Sequence, residues 1–264
     1  MRCPAFLARR AAGALLVVLL VGAGACASPG STPRPPPAAG GAQTSLAGKV
    51  VLLDPGHDGG DGSRPDLIDR QVNAGGYTKE CDTAGTETDA GYPEHAFTFD
   101  VANRVAALLR ARGATVVLTR TTDTGVGPCV DERAAIGNRA HADAAVSIHA
   151  DGGAADGLGF HVIAPARAPD GGNAAILAPS SRLAGLLITD YQRGTGEPTA
   201  TYIAHDGLAV RSDLAGLNLS RVPKVFVECL NMRNAADAGR ATSPAFRQRA
   251  AQGIAAGLGA YLTG

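Results

Sequence analysis

The feature that most limits how this chain can fold is a series of short β-branched and leucine runs, separated by longer stretches with helical spacing. Lys49–Asp54 (KVVLLD), Thr115–Thr119 (TVVLT), Ala144–His149 (AAVSIH), Gly159–Ala164 (GFHVIA) and Lys224–Cys229 (KVFVEC) are runs of this kind. Apolar runs of that length are expected of parallel strands covered on both faces. Between them, Pro93 is placed to open a helix whose apolar face is Phe97, Val101, Val105, Leu108 and Leu109, with Gly113 as its stop. Val130–His141 reads as a helix with Asp131 and Glu132 near its positive end. Residues 179–193 present Leu183, Leu186 and Leu187, and Pro244–Leu262 reads as a closing helix. Strands alternating with helices predict the α/β class: a single domain with a mostly parallel twisted sheet of about six strands and helices on both faces.

The N-terminus predicts export. Arg2, Arg9 and Arg10 precede an uninterrupted apolar and small run at 11–25 (AAGALLVVLLVGAGA), the pattern of a signal peptide. The run is shorter than the roughly 20 residues of a membrane span. Ala23-Gly24-Ala25 fits ordinary signal peptidase, and the same tripeptide before Cys26 resembles a lipobox in which Ala23 replaces the usual Leu. Secretion and lipid attachment at Cys26 are both left open. Residues 26–46 are rich in Pro, Gly and Ala and read as a linker, so the folded domain is expected at 47–264.

Charge is balanced, with 24 basic and 24 acidic residues, but four of the basic ones lie in the first 48 positions, where no acid occurs. The remainder carries a net −4 with no Lys/Arg cluster and no Trp, which argues against nucleic-acid binding. Of five cysteines, Cys3 and Cys26 belong to the signal region. Cys229 lies in an apolar strand and is expected to be a buried free thiol. Cys81 and Cys129 lie in polar stretches and are expected to pair, as disulfides persist outside the cytoplasm.

Four residues fall where strands end or helices begin. His57 follows the first strand in Asp54-Pro55-Gly56-His57, His149 ends the third, Glu228 lies near the end of a later one, and Glu94 opens the first helix. Right-handed connections bring such positions to the C-terminal edge of the sheet, where ligands bind in open α/β folds. Two histidines and one carboxylate with an open fourth position suit a catalytic zinc, leaving Glu228 free to move protons. Taken singly, each has a plainer reading: a structural histidine at a strand end, or an acid favoured by a helix dipole. Glu228 is the hardest to dismiss, because a carboxylate in so apolar a run costs several kcal/mol unless paired or bound. His161, inside a strand, and Asp151, two residues past His149, are candidates for supporting or substrate contacts.

These motifs resemble those of the zinc N-acetylmuramoyl-L-alanine amidases of the type 3 group, which cut bacterial peptidoglycan. The resemblance rests on Leu53-Asp54-Pro55-Gly56-His57, on Glu94 at a helix start, and on Ser147-Ile148-His149-Ala150-Asp151. Its last motif is Pro223-x-Val225-Phe226-Val227-Glu228-Cys229-x-Asn231-Met232-x-Asn234. It implies one Zn(2+) held by His57, Glu94 and His149, with Glu228 as the catalytic carboxylate. The implied reaction is hydrolysis of the amide between N-acetylmuramic acid and L-Ala, with peptidoglycan or muropeptide fragments as substrate and a monomer as the working unit. Cys229 stands where many relatives have Gly. A zinc peptidase cutting within the stem peptide and a non-catalytic wall-binding domain of the same fold are the alternatives. The 36-residue stretch 57–92 is longer than most connections and reads as a lid or specificity element beside the site.

Overall fold

An extended apolar run satisfies its backbone only through neighbouring strands, and six runs in this chain do so side by side. The computed structural model describes residues 44–264. The signal segment 1–25, Cys26 and most of the linker therefore lie outside the described residues. In chain order the elements are β1 (Val50–Pro55), a short α1 (Pro65–Ile68), β2 (Gln71–Asn73), β3 (Thr78–Glu80), α2 (Glu94–Ala111), β4 (Thr115–Leu118), α3 (Val130–Arg139) and β5 (Ala144–Asp151). They continue with β6 (His161–Pro165), α4 (Leu177–Thr195), β7 (Leu208–Arg211), α5 (Ala215–Asn218), β8 (Lys224–Asn231), α6 (Ala235–Ala241) and α7 (Pro244–Thr263).

The main sheet runs β4-β1-β5-β8-β6-β7. Every neighbouring pair is parallel except β6 with β8, so the sheet is mostly parallel and six-stranded, as the alternation of runs predicts. Three strands differ from the sequence reading. The β2–β3 hairpin lies in the stretch 57–92, read above as one long connection, and β7 was not marked as a strand. Each of the three has three or four residues and no fully buried position, too short for a period to show. The fourth strand begins at His161 rather than Gly159, because Gly159 takes a φ of +97° that breaks the ladder. Pro93 caps α2 from outside with an extended backbone, and Glu94 is the first helical residue.

The two faces of the sheet carry different chemistry, and the period of two residues along each strand sorts them. Val225, Val227 and Cys229 of β8 join Val51, Leu53, Val146, Ile148 and Val162 in the main core, with α2, α4 and α7 packed over them. Helix α7 approaches α4 so closely that a Cβ at Gly257 would lie 2.9 Å from the Leu187 Cα. Leu46, which the sequence reading puts in the linker, is fully buried in this core. Cys229 is a buried free thiol on this face. The opposite face holds only a small apolar group around Leu52 and Ala145, and it also carries the charged residues.

At the centre of that second face sits Asp54, with 3% exposure. It accepts hydrogen bonds from Lys224 Nζ (2.9 Å), Arg133 Nη1 (3.0 Å), Thr119 Oγ1 (2.8 Å) and Ser147 Oγ. Burial opposes its ionisation, but the Lys224 and Arg133 charges outweigh that and hold its carboxyl well below the usual carboxylate range. Near α3, Cys81 and Cys129 are joined in a disulfide that ties the segment after β3 to the start of α3.

Two stability outcomes follow. Asp54→Asn leaves the buried Lys224 without its counter-charge and Arg133 with Asp82 alone, and is expected to lower unfolding free energy by about 3–5 kcal/mol in urea titration. Because the folded carboxyl is held low, the contribution of Asp54 is in place above the ordinary carboxylate range and is lost only as pH falls through the lowered folded value. Reducing the bridge opens a loop with a sequence separation of 48 residues. Unfolding with and without reductant should then differ by about 4 kcal/mol on the chain-entropy estimate.

Candidate active site

The loop that follows β1 can bring His57 over the sheet edge only because position 56 has no side chain. A Cβ at Gly56 would lie 2.2 Å from Cε1 of the His149 ring. His57 adopts a φ of +58°, a left-handed conformation that costs about 1–2 kcal/mol for a residue with a Cβ. Two buried arginines hold it there. Arg133 of α3 donates to the carbonyls of Pro55 (2.8 Å) and His57 (3.2 Å). Arg120, just beyond β4, donates to the carbonyls of Pro55 (3.2 Å), Gly56 (3.2 Å) and His95 (2.9 Å). Since His95 belongs to the first turn of α2, Arg120 ties the His57 turn to the helix that opens with Glu94.

The result is a close cluster of three donor groups. His57 Nδ1 donates to the Thr83 carbonyl at 2.7 Å, which turns Nε2 toward Glu94 Oε2 at 3.1 Å. Glu94 Oε1 is 3.0 Å from His149 Nδ1. The Glu94 carboxylate also accepts from the backbone N–H groups of Thr86 (3.0 Å) and Ala150 (3.1 Å). One atom from each of His57, Glu94 and His149 lies within 4.8 Å of the others. Burial works against charge on both Glu94 and His57. The imidazoles of His57 and His149 nonetheless hold Glu94 well below the carboxylate range, and Glu94 and Asp82 hold His57 well above the usual imidazole range. The cluster thus favours added positive charge at its centre.

Glu228 lies beside it by register. On parallel strands His149 pairs with Glu228, and on the antiparallel side Glu228 pairs with His161. His149, Glu228 and His161 therefore form one lateral row across β5, β8 and β6. The next row is Ser147, Phe226 and Ile163, with the Phe226 ring stacked on His149 at 5.1 Å between centroids. Burial first, then the nearby Glu94 and Asp151 carboxylates, push Glu228 well above the ordinary carboxylate range. A cavity of about 200 Å³ opens on this row. Its walls include His57, His149 and Glu228, together with Lys79 and Glu80 of β3 and Arg211 of β7.

The structure thus brings together all four residues singled out by strand-end position. Asp151 stands just beyond the row and accepts a hydrogen bond from the Tyr202 hydroxyl at 2.9 Å; His161 is in the row itself. Sequence reasoning missed Asp82, whose Oδ1 is 3.4 Å from His57 Nδ1 and whose Oδ2 is 3.0 Å from Arg133 Nη2. Its position directly after Cys81, a residue expected to be bridged, was the available signal. Arg120, Arg133 and Lys224 were also missed. Each is a single cation at the edge of or within a predicted element, and a buried role shows only when its carbonyl or carboxylate partners are placed in space.

Comparison with known proteins converges on one group. The profile of the family described as N-acetylmuramoyl-L-alanine amidase matches residues 51–260. An N-acetylmuramoyl-L-alanine amidase of Mycobacterium tuberculosis is 44% identical over 219 residues, covering 83% of this chain and 88% of that protein. The crystal structure of the N-acetylmuramyl-L-alanine amidase Ami1 from Mycobacterium smegmatis superposes with a TM-score of 0.78 at 45% identity, covering 83% of this chain and 99% of that one. The apo form of Ami1 from Mycobacterium abscessus gives 0.77 at 45% identity, covering 83% and 100%. With the fold, the clustered motifs and a match over most of its length in agreement, this chain belongs to the N-acetylmuramoyl-L-alanine amidase family.

Proposed function

We propose that this chain is an exported, zinc-dependent hydrolase that cuts the amide between the lactyl group of N-acetylmuramic acid and L-Ala of the peptidoglycan stem peptide. The observation that carries the reading is the cluster of two imidazoles and one carboxylate beside a half-buried second carboxylate, in a chain with the family's match over residues 51–260. The donor set fits zinc. Two imidazole nitrogens and a carboxylate oxygen, all within 4.8 Å of one another, are the donor types that hold a catalytic zinc. Fixing the Nδ1 hydrogen of His57 on a backbone carbonyl leaves Nε2 as the metal-facing atom.

Zinc held by His57, Glu94 and His149 would polarise the scissile carbonyl and ease deprotonation of the attacking water. The protein's own share falls on Glu228. Its environment favours a bound proton, so it can accept one from the water and deliver it to the departing L-Ala nitrogen. Phe226 and Ile163 give the cavity an apolar floor that limits bulk water, while Lys79 and Arg211 on its rim suit a substrate carrying free carboxylates. Action on the cell wall agrees with export through the N-terminal segment, by secretion or by a lipid at Cys26, and the chain is read as a monomer with no nucleic-acid partner.

Digestion of muropeptides by the purified protein should release peptides beginning with L-Ala. Peptides that leave L-Ala on the sugar would instead mark a stem-peptide peptidase. Chelation is expected to abolish turnover and lower the melting temperature, with recovery on adding zinc. Glu228→Gln should reduce kcat by about 10²–10⁴-fold while the zinc content stays at one per chain. Loss of zinc in that variant would show Glu228 to be a ligand rather than a proton carrier.

A further inference from the structure

Two polar atoms in the catalytic row have no hydrogen-bond partner. His161 is 1% exposed, yet its Nδ1 is a buried atom with no partner, and so is Glu228 Oε2. An unsatisfied buried polar atom costs about 1–3 kcal/mol, so two of them at adjacent positions on paired strands call for a reason. The register supplies one. His161 and Glu228 are direct cross-strand partners, with Cβ atoms expected about 4.5–5.5 Å apart on the same face. His57, His149 and His95, by contrast, each have a named partner for a ring nitrogen. Burial holds the His161 imidazole in its neutral form, able to donate through one nitrogen and accept through the other. Its ring stands edge-on to Tyr202, 6.4 Å between centroids, and Tyr202 is itself fixed on Asp151. A Leu or Phe would fill such a core position without leaving a nitrogen unpaired.

We propose that His161 is the positioning residue for the catalytic carboxylate: one ordered water bridges His161 Nδ1 and Glu228 Oε2, so that the other carboxylate oxygen is presented to the reacting water. The inference rests on the reading of Glu228 as the proton carrier. Two buried polar atoms on directly paired residues supply the two partners that a buried water needs, and water-mediated contacts hold groups nearly as well as direct ones. Held this way, Glu228 keeps one oxygen out of the cavity that the residue lines. His149, on one side of Glu228 in the row, belongs to the proposed metal cluster; His161 stands on the other side, on β6. The two histidines therefore divide the row between metal and proton transfer.

The test compares His161→Phe, which fills the space without a ring nitrogen, with His161→Asn, which retains a polar atom near Nδ1. For His161→Phe, kcat on a muropeptide should fall about 10–100-fold, as for loss of other orienting partners, with KM and zinc content unchanged. His161→Asn should recover most of the lost kcat, and adding His161→Phe to Glu228→Gln should lower activity no further. The proposal is overturned if His161→Phe retains wild-type kcat, if its loss appears in KM or zinc content instead, if His161→Asn is no better, or if the double variant is additive. His161→Met is read in the same way if the Phe variant does not fold. Full activity in Glu228→Gln alone would overturn the reading of Glu228 and this inference with it, whereas a defect there with none in His161→Phe removes only the inference.

Discussion

The site depends on one buried carboxylate, Asp54, that gathers charges and hydroxyls from across the sheet. Asp54 lies under the turn that carries His57 and receives Lys224 from β8, Arg133 from α3, Ser147 from β5 and Thr119 from the end of β4. Two sheet strands, a helix and the end of the edge strand β4 are thus joined at a single carboxylate. Arg133 uses the same guanidinium to hold the carbonyls of Pro55 and His57, so the charge pair also maintains the positive φ of His57. A buried pair contributes little net stability when complete, but removing one partner is severe. Its use here is geometric: it sets where the chain leaves β1.

From that anchor the rest of the site follows by register. Parallel pairing of β5 with β8 and antiparallel pairing of β8 with β6 align His149, Glu228 and His161. The two-residue period of the strands then sends their neighbours Ile148, Val227 and Val162 into the core beneath α2, α4 and α7. A shift of one residue in β8 would exchange Glu228 with Val227 or Cys229 and destroy core and site together. The apolar packing on one face is therefore what fixes the row of His149, Glu228 and His161 on the other. Cys229 belongs to the packing side of this division: it is buried without a disulfide, and burial pushes its thiol above the usual range.

Most strand positions and the helix placement were legible because they depend on runs long enough to show a period, and the four clustered residues were legible because they stand at the ends of those runs. Cys81 and Cys129 were read from their polar surroundings and are joined. What stayed hidden shares one property: its meaning lies in a partner far away in sequence. Lys224 reads as the polar start of a strand, and only its Nζ, 2.9 Å from Asp54 across 170 positions, makes it part of the core. Arg120 follows a strand like any solvated cation, yet it satisfies three carbonyls around the His57 turn. Leu46 sits in a segment whose composition is that of a linker, and a single buried leucine does not change a composition. Strand β7, with four residues and a half-exposed pattern, carries no period of its own and forms because β6 offers it an edge.

The electrostatics of the row link the two proposed roles. Glu94, Glu228 and Asp151 are close enough for each of the others to raise the proton affinity of Glu228, while Asp82 and Glu94 do the same for His57. Glu94 is common to both effects, so the carboxylate that opens α2 sets the charge balance of the turn on one side and of the row on the other.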